Sequence, residues 1–371
     1  MIRVLQIVTD MRCGGLETMI MNYDRNIDRT KVQFDFLVHR QTKGDYEEEI
    51  KNLGGRIYRL PRLNPWSVRY RKQLDMFFET HTEYKVVHCH LDCMAGIPLF
   101  YARKHGVPVR IAHAHSSSQT KDLKYLVKLW FRREITKNAT HLFACGKKAG
   151  DFMFHSDRCL ILNNAIDCKK YMYTKERRQD VRKKLGISND MTVYGHVGRF
   201  AVPKNHTFLI DIFAEIKKRD KKVILLLIGD GTLRKKMEKK VKKLGLCQSV
   251  WFLGKREDVS MLLQAMDAFL FPSIYEGLPL SVIEAQAAGL PCFLSMNVPE
   301  ECKKTELVQR ISLEISAKKW AEIICGKMEE KGKERKNNEE EIKEAGFDIE
   351  RNAKWLQQFY LGELKKAEEN G

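Results

Sequence analysis

No apolar run in the 371 residues approaches the roughly 18 that a membrane span requires. The first such run, Val4–Val8, follows Arg3 and breaks at Thr9-Asp10, too short for the core of a signal peptide. The expectation is a soluble chain that stays in the cytoplasm, where it is made. Ten cysteines are present but none forms a Cys-x-x-Cys pair, so free thiols are expected, not a disulfide framework. His88-Cys89-His90 with Cys93 is the one group that suggests a metal. Strand alternation sends neighbouring side chains to opposite faces, so His88 and His90 do not converge easily with Cys89. No metal and no cofactor are expected. Also missing are the GxGxxG dinucleotide fingerprint, a P-loop lysine, a short internal repeat and any nucleic-acid-binding module.

What is abundant is positive charge. Sixty-six basic residues against 48 acidic ones give a net +18, which implies an anionic partner: nucleic acid, an acidic membrane or a phosphate-bearing substrate. Hydrophobic and charged fractions of 43% and 31% are those of a folded globular protein, and the length suits two domains.

Short Val/Ile-rich runs alternate with amphipathic stretches along the chain, the pattern of parallel sheets covered by helices on both faces. In the first half the runs are Val4–Val8, Phe34–Val38, Arg56–Leu60, Val86–His90, Val109–His113, His141–Ala144 and Leu160–Leu162. The pattern restarts with Val193–Val197, Val223–Ile228, Val250–Leu253, Ala268–Phe271 and Pro291–Leu294. The reading is α/β with two Rossmann-like doubly wound domains. Residues 1–168 form the first, residues 169–189 a charged linker, and residues 190–348 the second. Trp355, Leu356, Phe359 and Tyr360 recur at helical spacing, so a last helix, about 349–368, packs on something. The highly charged stretch Lys327–Glu344 reads as solvated helices or a partly mobile segment.

Ligands of open parallel sheets bind at the carboxyl ends of the strands, where helix N-termini gather. Five motifs fall there. Gly14-Gly15-Leu16-Glu17 opens the first helix and lets backbone N–H groups approach a phosphate, or is a plain strand-to-helix turn. His113-Ala114-His115 ends a strand with both imidazoles on one side; one could bond a sugar or leaving group, the other could be a core histidine. His88 and His90 repeat this one strand earlier. Arg199 and Lys204, after Gly198, could clamp a diphosphate. Gly229-Asp230-Gly231 permits close approach to a flat ligand such as a nucleobase, or is a simple turn. The most specific is Glu276-Gly277-Leu278-Pro279-Leu280, with Glu284 farther on. Pro279 suits a helix start, so a ligand across it could meet both carboxylates and the N–H groups of Gly277 to Leu280. A buried Glu284 would need hydroxyl partners, such as those of a ribose. Asp122–Thr136 is a basic amphipathic helix that could lie on an anionic membrane or pack inside the domain.

In their order these motifs resemble the GT-B retaining glycosyltransferases of family 4, the "glycosyl transferases group 1". The elements are Gly14–Glu17, His113–His115, Gly198-Arg199 with Lys204, Gly229–Gly231, Phe252–Gly254 and the Glu-x7-Glu pair Glu276 and Glu284. Stretches such as Arg199–His206, Leu262–Asp267 and Trp320–Ile324 look like those of bacterial capsular and exopolysaccharide enzymes. The resemblance implies two domains facing across a cleft, the first on the acceptor side and joined by the last helix, the second binding the nucleotide-sugar. It implies that Arg199 and Lys204 neutralise the leaving diphosphate without a metal, Glu284 holds the ribose, and Glu276 contacts the donor sugar. Gly15 would offer its N–H to phosphate, Gly229, Asp230, Gly277, Leu278 and Leu280 would line the donor, and His115 or His113 would face the reacting sugar. The expected partners are a UDP-sugar and a saccharide or polyprenyl-linked acceptor, with possible peripheral contact with an anionic membrane on the inner face, and no nucleic acid. Two departures stand out. Asn164-Ala165-Ile166-Asp167 replaces Asn-Gly-x-Asp, and Ser295–Glu301 replaces a glycine-rich loop. The alternatives are a GT-B epimerase, an inverting transferase, a basic nucleic-acid-binding protein, and a membrane-peripheral binder without catalysis.

Overall fold

Strands buried on both faces read as unbroken apolar runs, and Val223–Ile228, with all six residues apolar and buried, is such a strand. The computed structural model describes residues 1–116, 125–156, 158–331 and 335–369. They divide into two compact units, Met1–Ala165 with Asp348–Gly371, and Ile166–Phe347.

The first unit is built on a parallel sheet of β1 (Ile2–Val8), β2 (Val32–Val38), β3 (Ile57–Arg59), β4 (Val86–Cys89), β5 (Val109–Ala114), β6 (His141–Ala144) and β7 (Cys159–Ile161). Among the described residues its order is β3-β2-β1-β4-β5-β6-β7. The chain runs outward from β1 on one side, then returns to β4 on the other, so direction reverses beside β1. Helix Ile349–Glu369 packs against helix Gly15–Asn26. It buries Leu356 and Tyr360, one turn apart, while Trp355 stays 41% exposed. Each buried side chain of this size contributes about 1.5–3 kcal/mol. A polar tie adds to the docking: Gln357 Oε1 accepts from the Asp28 N–H at 2.9 Å.

The second unit holds β8 (Thr192–Val197), β9 (Val223–Ile228), β10 (Val250–Gly254), β11 (Ala268–Phe271), β12 (Cys292–Ser295) and β13 (Val308–Ile311). Their order, β10-β9-β8-β11-β12-β13, reverses beside β8. The sequence pattern did not announce β13, whose Gln309 and Arg310 interrupt the apolar run. The part of the charged stretch from Lys327 to Lys331 ends a helix, Ala317–Lys331, whose buried Trp320 donates its indole N–H to the Ser312 carbonyl at 2.8 Å.

Residues 169–189 are no linker. Helix Lys175–Leu185 belongs to the second unit, started by the Thr174 hydroxyl accepting from the Arg177 N–H and ended by Gly186 at φ 68°. Two of the charges that suggest a solvated connector, Arg178 and Arg182, are turned inward. Arg178 and Arg182 each donate to Asp267 at 2.6 Å, and Arg182, 1% exposed, also donates to the Ala265 carbonyl at a helix end. Asp267 in turn accepts from the Val193 N–H at 2.8 Å, joining helix to sheet. Of the expected basic helix Asp122–Thr136, the structure describes Tyr125–Asn138; its start lies outside the described residues.

Removing one partner of a buried ion pair leaves the other charge uncompensated, at about 3–5 kcal/mol. Asp267→Ala should therefore lower the urea midpoint by that much at unchanged slope. A loss under about 1 kcal/mol would show that the two guanidiniums rest mainly on their carbonyl acceptors.

Candidate functional site

Where strand order reverses, the loops after neighbouring strands leave in opposite directions and open a crevice at the sheet's carboxyl edge. In the second unit these are the loops after β8 and β11, and they bring two predicted residues together. Lys204 Nζ lies 2.8 Å from Glu276 Oε1 and 4.6 Å above the Phe271 ring. Backbone and amide bonds hold the loops in register: the Ile274 N–H donates to the Pro203 carbonyl at 2.7 Å, and Asn205 Nδ2 to the Pro272 carbonyl at 3.1 Å. On the far side, the Ser295 hydroxyl donates to the Ser273 carbonyl, and Asn297 Nδ2 to that of Ile274 at 2.9 Å. Ser295–Glu301, which departs from the family pattern, thus begins by mooring the Glu276 loop. Arg199 is exposed and has no carboxylate partner among the described residues, so the two expected clamp cations differ: one is paired, one is open.

Pro279 caps helix Leu280–Ala287, as its fixed φ favours, and Glu284 lies in the second turn, 8% exposed. Burial raises its pKa; a hydrogen bond from the Tyr171 hydroxyl at 2.8 Å opposes that. Tyr171 was missed by the sequence reading because it lies in the supposed linker. Among the described residues it is the only side-chain donor to Glu284, whose carboxylate has acceptor capacity for more. Leu278 and Leu280 have buried side chains, while Gly277 is partly exposed.

Gly229–Gly231 lies tight against the neighbouring loop. Gly229 has φ 133°, and a Cβ there would lie 2.2 Å from the Gly198 carbonyl oxygen; one on Gly231 would lie 2.6 Å from that of Phe200. The close approach is therefore to the neighbouring loop, joined by the Phe200 N–H donating to the Asp230 carbonyl at 3.0 Å, and needs no nucleobase. Asp230 closes its own turn, Oδ1 accepting from the Gly231 N–H at 2.7 Å.

The first unit places Gly15 at the start of helix Gly15–Asn26, after β1. A Cβ on Gly15 would meet nothing within 4 Å, so packing inside the unit does not require glycine there. Beyond β4 and β5, alternation stacks four imidazoles on one side of the sheet. His113 and His115 have ring centres 4.1 Å apart, His88 and His90 4.3 Å. His88 Nε2 lies 3.1 Å from His113 Nδ1, and His90 Nδ1 lies 2.9 Å from His115 Nε2. Tyr360, expected from sequence only to pack the last helix, and Gln6, not singled out, complete the group: the Tyr360 hydroxyl is 2.6 Å from His88 Nδ1, and Gln6 Oε1 2.8 Å from His90 Nε2. Burial pushes all four histidine pKa values down, His115 to about 3 and the others well below the ordinary value. His88, His90 and His113 offer nitrogens within 4.8 Å of one another. The His88–His113 pair among them is at hydrogen-bonding distance, 3.1 Å.

Residues 13–170 match the family described as Glycosyltransferase Family 4, and residues 177–303 that described as Glycosyl transferases group 1. The chain is 36% identical over 370 residues, 96% of each chain, to EpsF of Bacillus subtilis (strain 168), whose name assigns it provisionally to the glycosyltransferases. The protein belongs to the GT-B glycosyltransferases of family 4. A capsular polysaccharide biosynthesis glycosyltransferase, CapH of Staphylococcus aureus, is 24% identical over 97% of this chain and 99% of its own. The crystal structure of Anabaena HepE in complex with UDP superposes with a TM-score of 0.80 at 17% identity, covering 98% of this chain and 100% of that one; at that identity the likeness shows the fold. This family 4 member is thus a glycosyltransferase of GT-B type. Among the described residues, no helix is long and apolar enough to cross a membrane.

The buried imidazoles give the glycosyltransferase an acid-sensitive fold. His196 and His206 of the second unit are likewise depressed by burial, His206 to about 4. A histidine with a lowered folded pKa binds its proton first in the unfolded chain. Stability is therefore full above about pH 6.5 and falls as pH drops toward the folded values, by up to about 1.4 kcal/mol per histidine per pH unit. Asp24, raised by burial to about 7, and Asp92 and Glu284, also raised by burial, act in the opposite direction but are three groups against these six histidines. The urea midpoint should fall clearly between pH 7.5 and 5.5; a flat profile would contradict neutral burial of the array.

Proposed function

We propose that this glycosyltransferase moves a sugar, of hexosyl or N-acetylhexosaminyl type, from a UDP-sugar to a saccharide or polyprenyl-linked acceptor with retention at the anomeric carbon. The observation that carries the donor half is Glu284: a buried carboxylate, held by one tyrosine hydroxyl, one helix turn from a loop that presents the Lys204–Glu276 pair. A ribose diol supplies the hydroxyl donors such a group lacks. Lys204 exchanges Glu276 for a phosphate oxygen as the donor binds, which frees Glu276 for the sugar, and Arg199 adds the second cation. Two preorganised cations stabilise the charge that develops on the leaving diphosphate, so the reading needs no resident metal. The open space at Gly15 and the neutral imidazoles His113 and His115 serve the sugar side. HepE, crystallised with UDP and glucose, supports UDP as the nucleotide by likeness of fold alone.

A lipid-linked acceptor needs a route to the membrane. Trp66 and Trp130, 64% and 54% exposed, flank Phe131 with ring centres 5.7 and 4.7 Å away. Exposed Val68 and the basic residues Arg62, Arg69, Arg71 and Arg133 lie close to them in sequence. Indoles with basic neighbours suit the headgroup layer of an anionic membrane, here on the cytoplasmic side.

Glu284→Ala should weaken UDP binding at least tenfold, the scale of hydrogen bonds to a charged group; unchanged affinity would remove the donor-site assignment. NMR of the first-formed product should show the donor's anomeric configuration, and an inverted product would end the retaining assignment. Replacing Trp66 and Trp130 together by Ser should reduce binding to anionic liposomes at low salt about tenfold while sparing UDP affinity. Equal binding by the variant would place docking elsewhere.

A further inference from the structure

Gln6 is a buried amide at the middle of the first unit, and two hydrogen-bonded chains start from it. One runs from Gln6 Oε1 to His90 Nε2 at 2.8 Å, then from His90 Nδ1 to His115 Nε2 at 2.9 Å. The other runs from the Gln6 amide to the Tyr360 hydroxyl, on to His88 Nδ1 at 2.6 Å, then from His88 Nε2 to His113 Nδ1 at 3.1 Å. The chains end at His115 Nδ1 and His113 Nε2, both buried and both unpartnered within the described residues. Free space beside the array is about 10 Å³, the order of one water, so bulk solvent does not enter between the rings.

A neutral imidazole has one N–H and one lone pair, so each ring hands on the polarity it receives. Take first the amide N–H facing Tyr360. Gln6 Oε1 then accepts from His90 Nε2–H, His90 Nδ1 accepts from His115 Nε2–H, and His115 Nδ1 is left with a lone pair. On the other branch Tyr360 accepts from the amide and donates to His88 Nδ1. His88 Nε2–H donates to His113 Nδ1, and His113 Nε2 is left with an N–H. Turning the amide over reverses every bond on both branches. An amide has one donating and one accepting side, so the two ends are of opposite sign in either setting.

We propose that Gln6 and Tyr360 are positioning residues that make His113 and His115 a matched donor–acceptor pair for the hydroxyls of a neutral sugar. This rests on the reading that these two histidines face the sugar. A hydroxyl both donates and accepts, so it satisfies such a pair. A metal ion, which needs lone pairs from every ligand, or a phosphate, which needs donors, matches only one end.

A corollary makes the relay testable without any variant. In one amide setting all four rings carry hydrogen on Nε2; in the other, all four carry it on Nδ1. Imidazole ¹⁵N–¹H correlation spectra of the full-length protein should show one tautomer shared by His88, His90, His113 and His115. A fixed mixture of tautomers among the four would overturn the proposal. Equimolar Zn²⁺ should leave the spectrum unchanged; metal-shifted signals from His88, His90 and His113 would overturn it in favour of a metal site. Tyr360→Phe cuts one branch only, so His90 and His115 should keep their tautomer while His88 and His113 become mixed; four unchanged rings would overturn the relay. Gln6→Met should lower kcat about tenfold with UDP affinity unchanged, the cost of one misdirected hydrogen bond in the transition state. Unaltered kcat would remove the positioning role. If the wild-type protein transfers no sugar, the functional reading fails, and the tautomer spectra still decide the relay.

Discussion

The reversal of strand order beside β1 and beside β8 is the constraint from which everything functional follows. A right-handed crossover lays each helix on one face while the chain moves outward. When the chain returns to the other side of the first strand, the two loops there must part. Lys204 and Glu276 meet because their loops follow β8 and β11, the strands on either side of that reversal. In the first unit Gln6 of β1 and the histidines that end β4 and β5 meet beside the equivalent reversal.

Residues whose role is local were legible from sequence. Pro279 starts a helix because its ring fixes φ, and that alone placed Glu284 inside the helix with apolar neighbours and in need of partners. Strand alternation placed His113 beside His115 for the same kind of reason. What sequence could not give is the partner that arrives from far along the chain. Tyr171 reaches Glu284, and Tyr360 reaches His88, through packing that no periodicity encodes. Gly229 and Gly231 show how open a glycine signal is. A glycine signals that something comes close, and here the close neighbour is the backbone of residues 198–200. The linker failed for a third reason: charge density is a reliable sign of exposure only when the charges lack internal partners, and Arg178 and Arg182 have Asp267 and the carbonyls of a helix end.

That last point changes what the net charge means. Arg182 is buried, and Arg335 donates to the carbonyls of Ala288, Leu263 and Met266 while lying 4.3 Å from the Tyr173 ring centre. Such guanidiniums serve as caps for helix ends, where five fixed donors satisfy several carbonyls at once. They count toward +18 but offer nothing to a partner. Net charge is thus a weaker guide to partners than the location of cations that lack an internal acceptor. By that measure Arg199 in its loop is more telling than any basic helix.

The two units divide the chemistry by charge state. The second presents groups of both signs, Lys204, Arg199, Glu276 and Glu284, which on the proposed reading meet a diphosphate and a ribose. The first presents neutral imidazoles. Burial holds them neutral, and neutrality lets a ring be donor at one edge and acceptor at the other; a protonated ring is donor at both. A sugar hydroxyl is recognised by direction, not by charge, so a depressed histidine pKa and an ordered tautomer are two aspects of one requirement. The final helix serves that requirement through Tyr360, whose hydroxyl lies 2.6 Å from His88 Nδ1 in the buried array.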